Sequence, residues 1–336
     1  MLEAETLYSG RTDAFVVACD FAGEICAFAG GEGALRFVSP GGRQAVIELT
    51  EGMPLCLAPD DTGRGFLVGT DLGHFLDVST DAAIAHLQTF PRRWVEHVAC
   101  HTGRSSGVSA CAAGKQIAVI GQNRKLLKRL ATDFTITGLA FDAKGKRLAA
   151  SHYNGISLWY VGAQSEAARV YSWKGSHIAI AFHPGGEAIV TSMQENALHG
   201  WWLPDGAHMQ MTGYPTKIES LAFSRTGKWL ATSGADTAVL WPFFGGGPMG
   251  RAPLELGGAQ NIPVTRVAMH PRHDCLAMGF ADGRVSLADI DTRQVIESAA
   301  SANGAVTALS FSADGRHLAF GTELGDAGIL QVRINP

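Results

Sequence analysis

Residues 136–160 read ITGLAFDAKGKRLAASHYNGISLWY, and residues 218–241 read IESLAFSRTGKWLATSGADTAVLW. Each stretch is a short apolar run with period-two alternation, a glycine turn, a second run ending in small residues, another turn, and a third run. Period two is the spacing of a strand whose side chains point to opposite faces, whereas a helix would need 3.6-residue spacing over ten or more positions. Three antiparallel strands joined by tight turns are therefore expected from each stretch. The same pattern recurs at 264–289 (VTRVAMHPRHDCLAMGFADGRVSLAD) and at 306–332 (VTALSFSADGRHLAFGTELGDAGILQV).

Outward from these copies, the residue closing each first run serves as an anchor: Cys19, Pro59, Cys100, Phe141, Phe182, Phe223, Met269 and Phe311. Their spacings are 40, 41, 41, 41, 41, 46 and 42 residues. A fourth run lies between copies, as in AVIELTE, AHLQTF, KLLKRLA and AARVYSW. Four strands per unit at this period predict an all-β, eight-bladed β-propeller of four-stranded antiparallel blades, with residues 1–336 forming a single domain. The last copy stops after its third strand, and the chain begins with an unassigned one. Tyr8 lies 11 residues before Cys19, as Tyr171 lies 11 before Phe182. The N-terminal strand is thus expected to complete the last blade and leave no open edge.

Trp159, Trp201 and Trp241 close third strands, and Asn154, Asp236 and Asp282 sit in the turns before third strands. In these features the chain resembles the WD40-repeat family along nearly its whole length, as a degenerate, bacterial-type, stand-alone propeller. No unit carries the literal Trp-Asp pair, and the family's histidine, about nine residues before the anchor, is replaced by residues such as Trp173 and Tyr214. The expectation is that the family's Asp-His-Ser/Thr-Trp hydrogen-bond network is missing from every unit. The resemblance implies a non-catalytic scaffold or adaptor that binds another protein or peptide.

Composition narrows the alternatives. Hydrophobic residues make up 46% of the chain and glycine accounts for 41 of 336 residues, as suits a packed, turn-rich protein. The net charge of -4 argues against a nucleic-acid-binding surface. The absence of a long apolar run argues against membrane insertion. Glu3 and Glu5 stand where a secretory signal would be basic, and the six cysteines are dispersed, so a cytoplasmic protein is expected.

His97, Cys100, His101 and Cys111 have the residue types of a zinc site, as do His270, His273 and Cys275, but the repeat register assigns them to core and turn positions. No metal, cofactor or catalytic residue is expected, and no nucleophile or phosphate-loop motif is present. The basic run at 123–129 reads as an outermost strand protected by charge. Loops leading into first strands supply Arg11, Arg93, Trp94, Phe134, Trp173, Lys174, Tyr214 and Lys217, and Tyr153 comes from a second-to-third-strand turn. Aromatic and arginine enrichment marks interaction surfaces, so these residues are the expected partner-binding set on a monomer. The alternative surface is the Gly/Pro-rich loop at 242–253 with Phe243, Phe244 and Met249. A small-molecule enzyme or binder using the central channel is the competing function, and a metal-handling accessory protein is the third.

Overall fold

The computed structural model describes residues 2–101, 107–258, 260–298 and 303–334. All regular elements among them are β-strands. The strands form a propeller of antiparallel blades, and the chain closes the ring as the repeat register requires. Strand Leu2–Arg11 pairs with Asp326–Ile334, running from Leu2 opposite Ile334 to Arg11 opposite Asp326. Its sheet continues through His317–Thr322 to Val306–Phe311. Thr307 Oγ1 donates to Val16 O at 2.6 Å, and Ser310 Oγ to Asp20 Oδ1 at 2.8 Å, tying the last first-strand to the first one. Tyr171 Oη donates to Leu203 O in the following unit, and Tyr8 Oη reaches Gln44 Oε1 in the unit that follows its own.

The eight blades expected from the sequence are corrected to seven, since the strands form seven sheets: six have four strands and one has six. The large sheet arises where strand continuity runs through the repeat. Segment Arg147–Tyr160 has 14 residues but folds back on itself, since Val161 N donates to Lys146 O at 2.9 Å. The reversal occurs at Asn154 (φ 68°) and Gly155 (φ 136°), where positive φ gives the tight hairpin its twist. Segment Arg169–Phe182 pairs first with Gly155–Leu158 and then, from His177 onward, with Ala188–Met193.

The strand register also moves the first anchor. Phe21 lies opposite Cys26, as Phe141 lies opposite Leu148 and Phe311 opposite Leu318. Cys19 is two residues earlier, opposite Phe28. Period-two alternation puts Cys19 and Phe21 on the same face, so pattern alone cannot separate them.

Second strands pack hardest. Ala149, Ala150, Ala231, Ala277 and Ala319 are all completely buried, because only small side chains fit where neighbouring blades converge. First strands such as Pro54–Pro59 and His97–His101 are half-buried along most of their length, as the wall of an axial channel would be. The core consists, among the described residues, of eight apolar clusters, each drawn from two consecutive units. Val108, Ile117, Ile136, Leu148 and Trp159 form one of them. Stability in such a ring is largely a sum of neighbour interfaces.

Candidate protein-interaction surface

Two rims frame the propeller. The upper rim carries the second-to-third-strand turns and the links between units; the lower rim carries the other turns. On the upper rim, Phe134 and Tyr153 meet edge to face with ring centroids 5.6 Å apart, and Phe134 also stacks on His152 at 5.8 Å. Tyr153, Asn154, Ser172, Trp173 and Lys174 enclose a cavity of about 610 Å³. Phe134, Tyr153 and Trp94 keep 38%, 47% and 59% of their surface exposed. Lys174, Lys217 and Arg93 are exposed beside them on the rim. Arg11 is exposed too, with Nη2 donating to Leu324 O at 3.1 Å. Of the expected set, the structure thus brings Phe134, Tyr153, Trp173 and Lys174 together.

Trp173 is only half-exposed, because its ring stacks on His199 at a centroid distance of 4.0 Å. His199 is fully buried, and neither ring nitrogen has a hydrogen-bond partner among the described residues. Burial pushes its pKa down to about 3, so the ring is neutral and behaves as an apolar plate beneath the indole.

Tyr214 is corrected from surface contact to core. It is 9% exposed, accepts a hydrogen bond from Trp241 Nε1 at 2.6 Å, and donates to Thr232 Oγ1 at 2.6 Å. Thr232 Oγ1 in turn donates to Val239 O at 3.1 Å. The network expected to be missing is therefore rebuilt in this unit with a tyrosine in the histidine's place. Burial pushes the Tyr214 phenol up to about 12, so it remains a donor. In the preceding unit His177 does related work, with Nδ1 2.7 Å from Thr191 Oγ1 and Nε2 3.0 Å from Trp173 O.

Phe243 is corrected in the same way. It is 7% exposed and packs edge to face on Phe223 at 4.9 Å. Phe244 is 40% exposed but meets Trp229 at 5.2 Å and carries the Arg251 guanidinium 4.4 Å above its ring. Met249 Sδ accepts from Gln210 N at 3.4 Å. The lower-rim loop thus folds back on its own blades and buries Phe243, while Phe244 and Met249 stay exposed.

Several histidines have a structural task that sequence reading missed. His183 Nε2 lies 3.0 Å from Gly227 O, and His270 Nε2 lies 3.0 Å from Gly315 O, each in the next unit. Gly185 N and Arg272 N donate to the respective Nδ1 atoms, which fixes the Nε2–H tautomer as the donor. Arg147 Nη2 makes the same link to Gly186 O at 2.7 Å. The signal was a histidine just after the anchor, paired with a turn glycine 44 or 45 residues later.

Among the described residues no group of three His, Cys, Asp or Glu side chains converges to hold a metal ion. Burial pushes the Cys111 thiol well up and the Cys100 thiol to about 12, and it lowers His97 to about 4. The channel wall carries Asp20, whose carboxyl is raised to about 6 by burial, and Glu219, which is paired with Arg266 at 2.8 Å. A smaller cavity of about 330 Å³ lies among Cys56, Glu96, His97, Thr137 and Ile178, from four successive first strands. Glu96 is the one carboxylate among these lining residues.

Comparison with known proteins agrees with the fold. The WD domain, G-beta repeat family matches residues 207–241, and the anaphase-promoting complex subunit 4 WD40 domain family matches residues 267–334. No curated protein matches the chain. A crystal structure of the computationally designed Ika8 protein superposes with a TM-score of 0.77 at 18% identity, covering 97% of this chain and 99% of that one. At that identity the likeness speaks to the fold alone. Repeat matches in two regions and propeller geometry around the ring agree on a β-propeller with WD40-like repeats.

Proposed function

We propose that the protein is a non-catalytic interaction scaffold that holds another protein or peptide on its upper rim, around Phe134, Tyr153, Trp173 and Lys174. WD40 propellers generally mediate protein interactions. The observation that carries the reading is the rim cavity, where exposed rings stand on a rigid base of stacked Trp173 and His199 with a cation at the edge. Large rings with few rotatable bonds lose little entropy on binding, and a neighbouring cation adds direction. Once a partner is in hand, Tyr153→Ala and Lys174→Glu are expected to weaken its capture at least about tenfold at unchanged melting temperature. Unaltered binding by both variants would refute the rim assignment.

The six cysteines are free thiols, which fits a reducing compartment such as the cytoplasm. No helix among the described residues is long and apolar enough to cross a membrane.

A further inference from the structure

A second cavity, of about 1030 Å³, lies away from the upper rim. It opens on the lower rim between the Cys100 and Phe141 units, with Val108, Leu127, Tyr160 and Val161 as its apolar walls and glycines such as Gly121 and Gly162 where side chains would otherwise fill it. Leu127 and Tyr160 are 53% and 56% exposed, so two large apolar side chains face an open groove. Tyr160 ends the hairpin whose turn carries Tyr153. From the turn at Gly155 the strand runs five residues to Tyr160, roughly 17 Å at the usual rise, which places the groove on the face opposite the proposed rim site.

Charge around the groove is lopsided. Residues 123–147 contain Arg124, Lys125, Lys128, Arg129, Lys144, Lys146 and Arg147 against Asp133 and Asp142, in a chain whose net charge is -4. Four of these cations are engaged. Arg124 reaches Asp60, Asp61 and Asp77, and Arg147 holds Asp142. Lys128 Nζ donates to the carbonyl oxygens of Ala163 and Ser165, fixing the far wall, and Arg129 donates to Gln88. Lys125, Lys144 and Lys146 are exposed, and among the described residues none has a carboxylate within ion-pairing distance. A strand guarded against edge pairing needs charge, but it needs neither a glycine-floored groove nor Lys146 in its wall beside exposed Leu127 and Tyr160, with Lys125 and Lys144 close by in sequence.

We propose that this groove is a second docking site, taking an acidic peptide segment of a partner protein with an aliphatic or aromatic side chain seated between Leu127 and Tyr160 and flanking carboxylates on Lys125, Lys144 and Lys146. The apolar side chain supplies burial, and the lysines select for acidic sequence and speed the encounter. The site stands independently of the upper-rim reading.

A random peptide-display library panned on the full chain tests it. The expected winners carry Asp or Glu on both sides of one large apolar residue. As synthetic peptides they should bind at least about tenfold more weakly to Leu127→Asp and to the Lys125→Glu/Lys144→Glu/Lys146→Glu variant, while Tyr153→Ala binds them normally. Both groove variants alter exposed side chains, and matching melting curves verify that they fold. Winners without acidic residues, winners indifferent to both groove variants, or no enrichment would overturn the proposal. So would self-association of the chain abolished by Leu127→Asp, or displacement of the peptides by the polyanion oligothymidine at equal concentration.

Discussion

The Nε2 atom of His183 lies 3.0 Å from the carbonyl oxygen of Gly227, one repeat unit further along the chain. A β-carbon added at Gly227 would sit 2.2 Å from the same nitrogen, and the glycine's φ of +73° disfavours any side chain there. The His270–Gly315 pair repeats the arrangement. Each histidine is a clasp between neighbouring units, and each glycine is the space into which the clasp closes. Gly227→Ala is therefore expected to cost more than about 1 kcal/mol, from strain and loss of the buried bond together. Removing the ring as well, in His183→Ala/Gly227→Ala, should recover the steric part relative to the sum of the single changes. Chemical denaturation of the four proteins in this cycle measures it, and strict additivity would argue against the clasp.

Tyr214→Phe should destabilise the protein by about 1–2 kcal/mol, because it leaves buried Trp241 Nε1 without an acceptor. Tyr214→His is expected to lose less, since an imidazole can bridge the tryptophan and Thr232 as the phenol does. Equal losses in the two variants would show that volume, and not the hydrogen-bond chain, decides.

Deleting residues 2–10 removes the strand that completes the last blade and uncovers the edge of Asp326–Ile334. The expected outcome is a sharp fall in melting temperature or aggregation, since an unpaired edge is a template for other chains. An unchanged melting curve would contradict the closure.

Two opposing pH dependences are built into the ring. His97 and His270 have folded-state pKa values lowered to about 4, and His199 to about 3, in each case by burial. The unfolded chain takes up these protons first, so their contribution is present above about pH 6.5 and is lost as pH falls toward 4. Asp20 works the other way. Its carboxyl is raised to about 6, so its contribution is full below about pH 4 and is lost as pH rises through 6. Asp20→Asn keeps an acceptor for Ser310 and should make the loss of stability from pH 6.5 to 4 steeper than in the parent. Melting temperatures across that interval check the sign, and a shallower slope would contradict it.

Repeat spacing alone shows strand order, period and closure, because each unit repeats the same alternation and turn glycines. What stayed hidden depends on contacts between units. Cys19 and Phe21 share a face, so only the pairing of Phe21 with Cys26 identifies the anchor. Tyr214 stands in a loop position by register but turns inward to Trp241, a choice that becomes visible only with the neighbouring strand in place. Phe243 occupies a Gly/Pro-rich stretch, yet packs on Phe223 from the same unit's first strand. At the rim, Phe134 and Tyr153 could be chosen from residue type, whereas the buried His199 under Trp173 sits in a third strand that sequence offered no reason to single out.

The central claim is that the upper rim grips another protein, and site-specific photo-crosslinking in the native cell tests it most directly. A photoreactive phenylalanine analogue would be placed at Tyr153 on the rim and, as control, at Val46, which is 46% exposed on an outermost strand. The account predicts a discrete crosslinked protein from position 153, absent from position 46 and lost when Lys174→Glu is added. Crosslinks that are equal at the two positions, or absent from position 153, would contradict it.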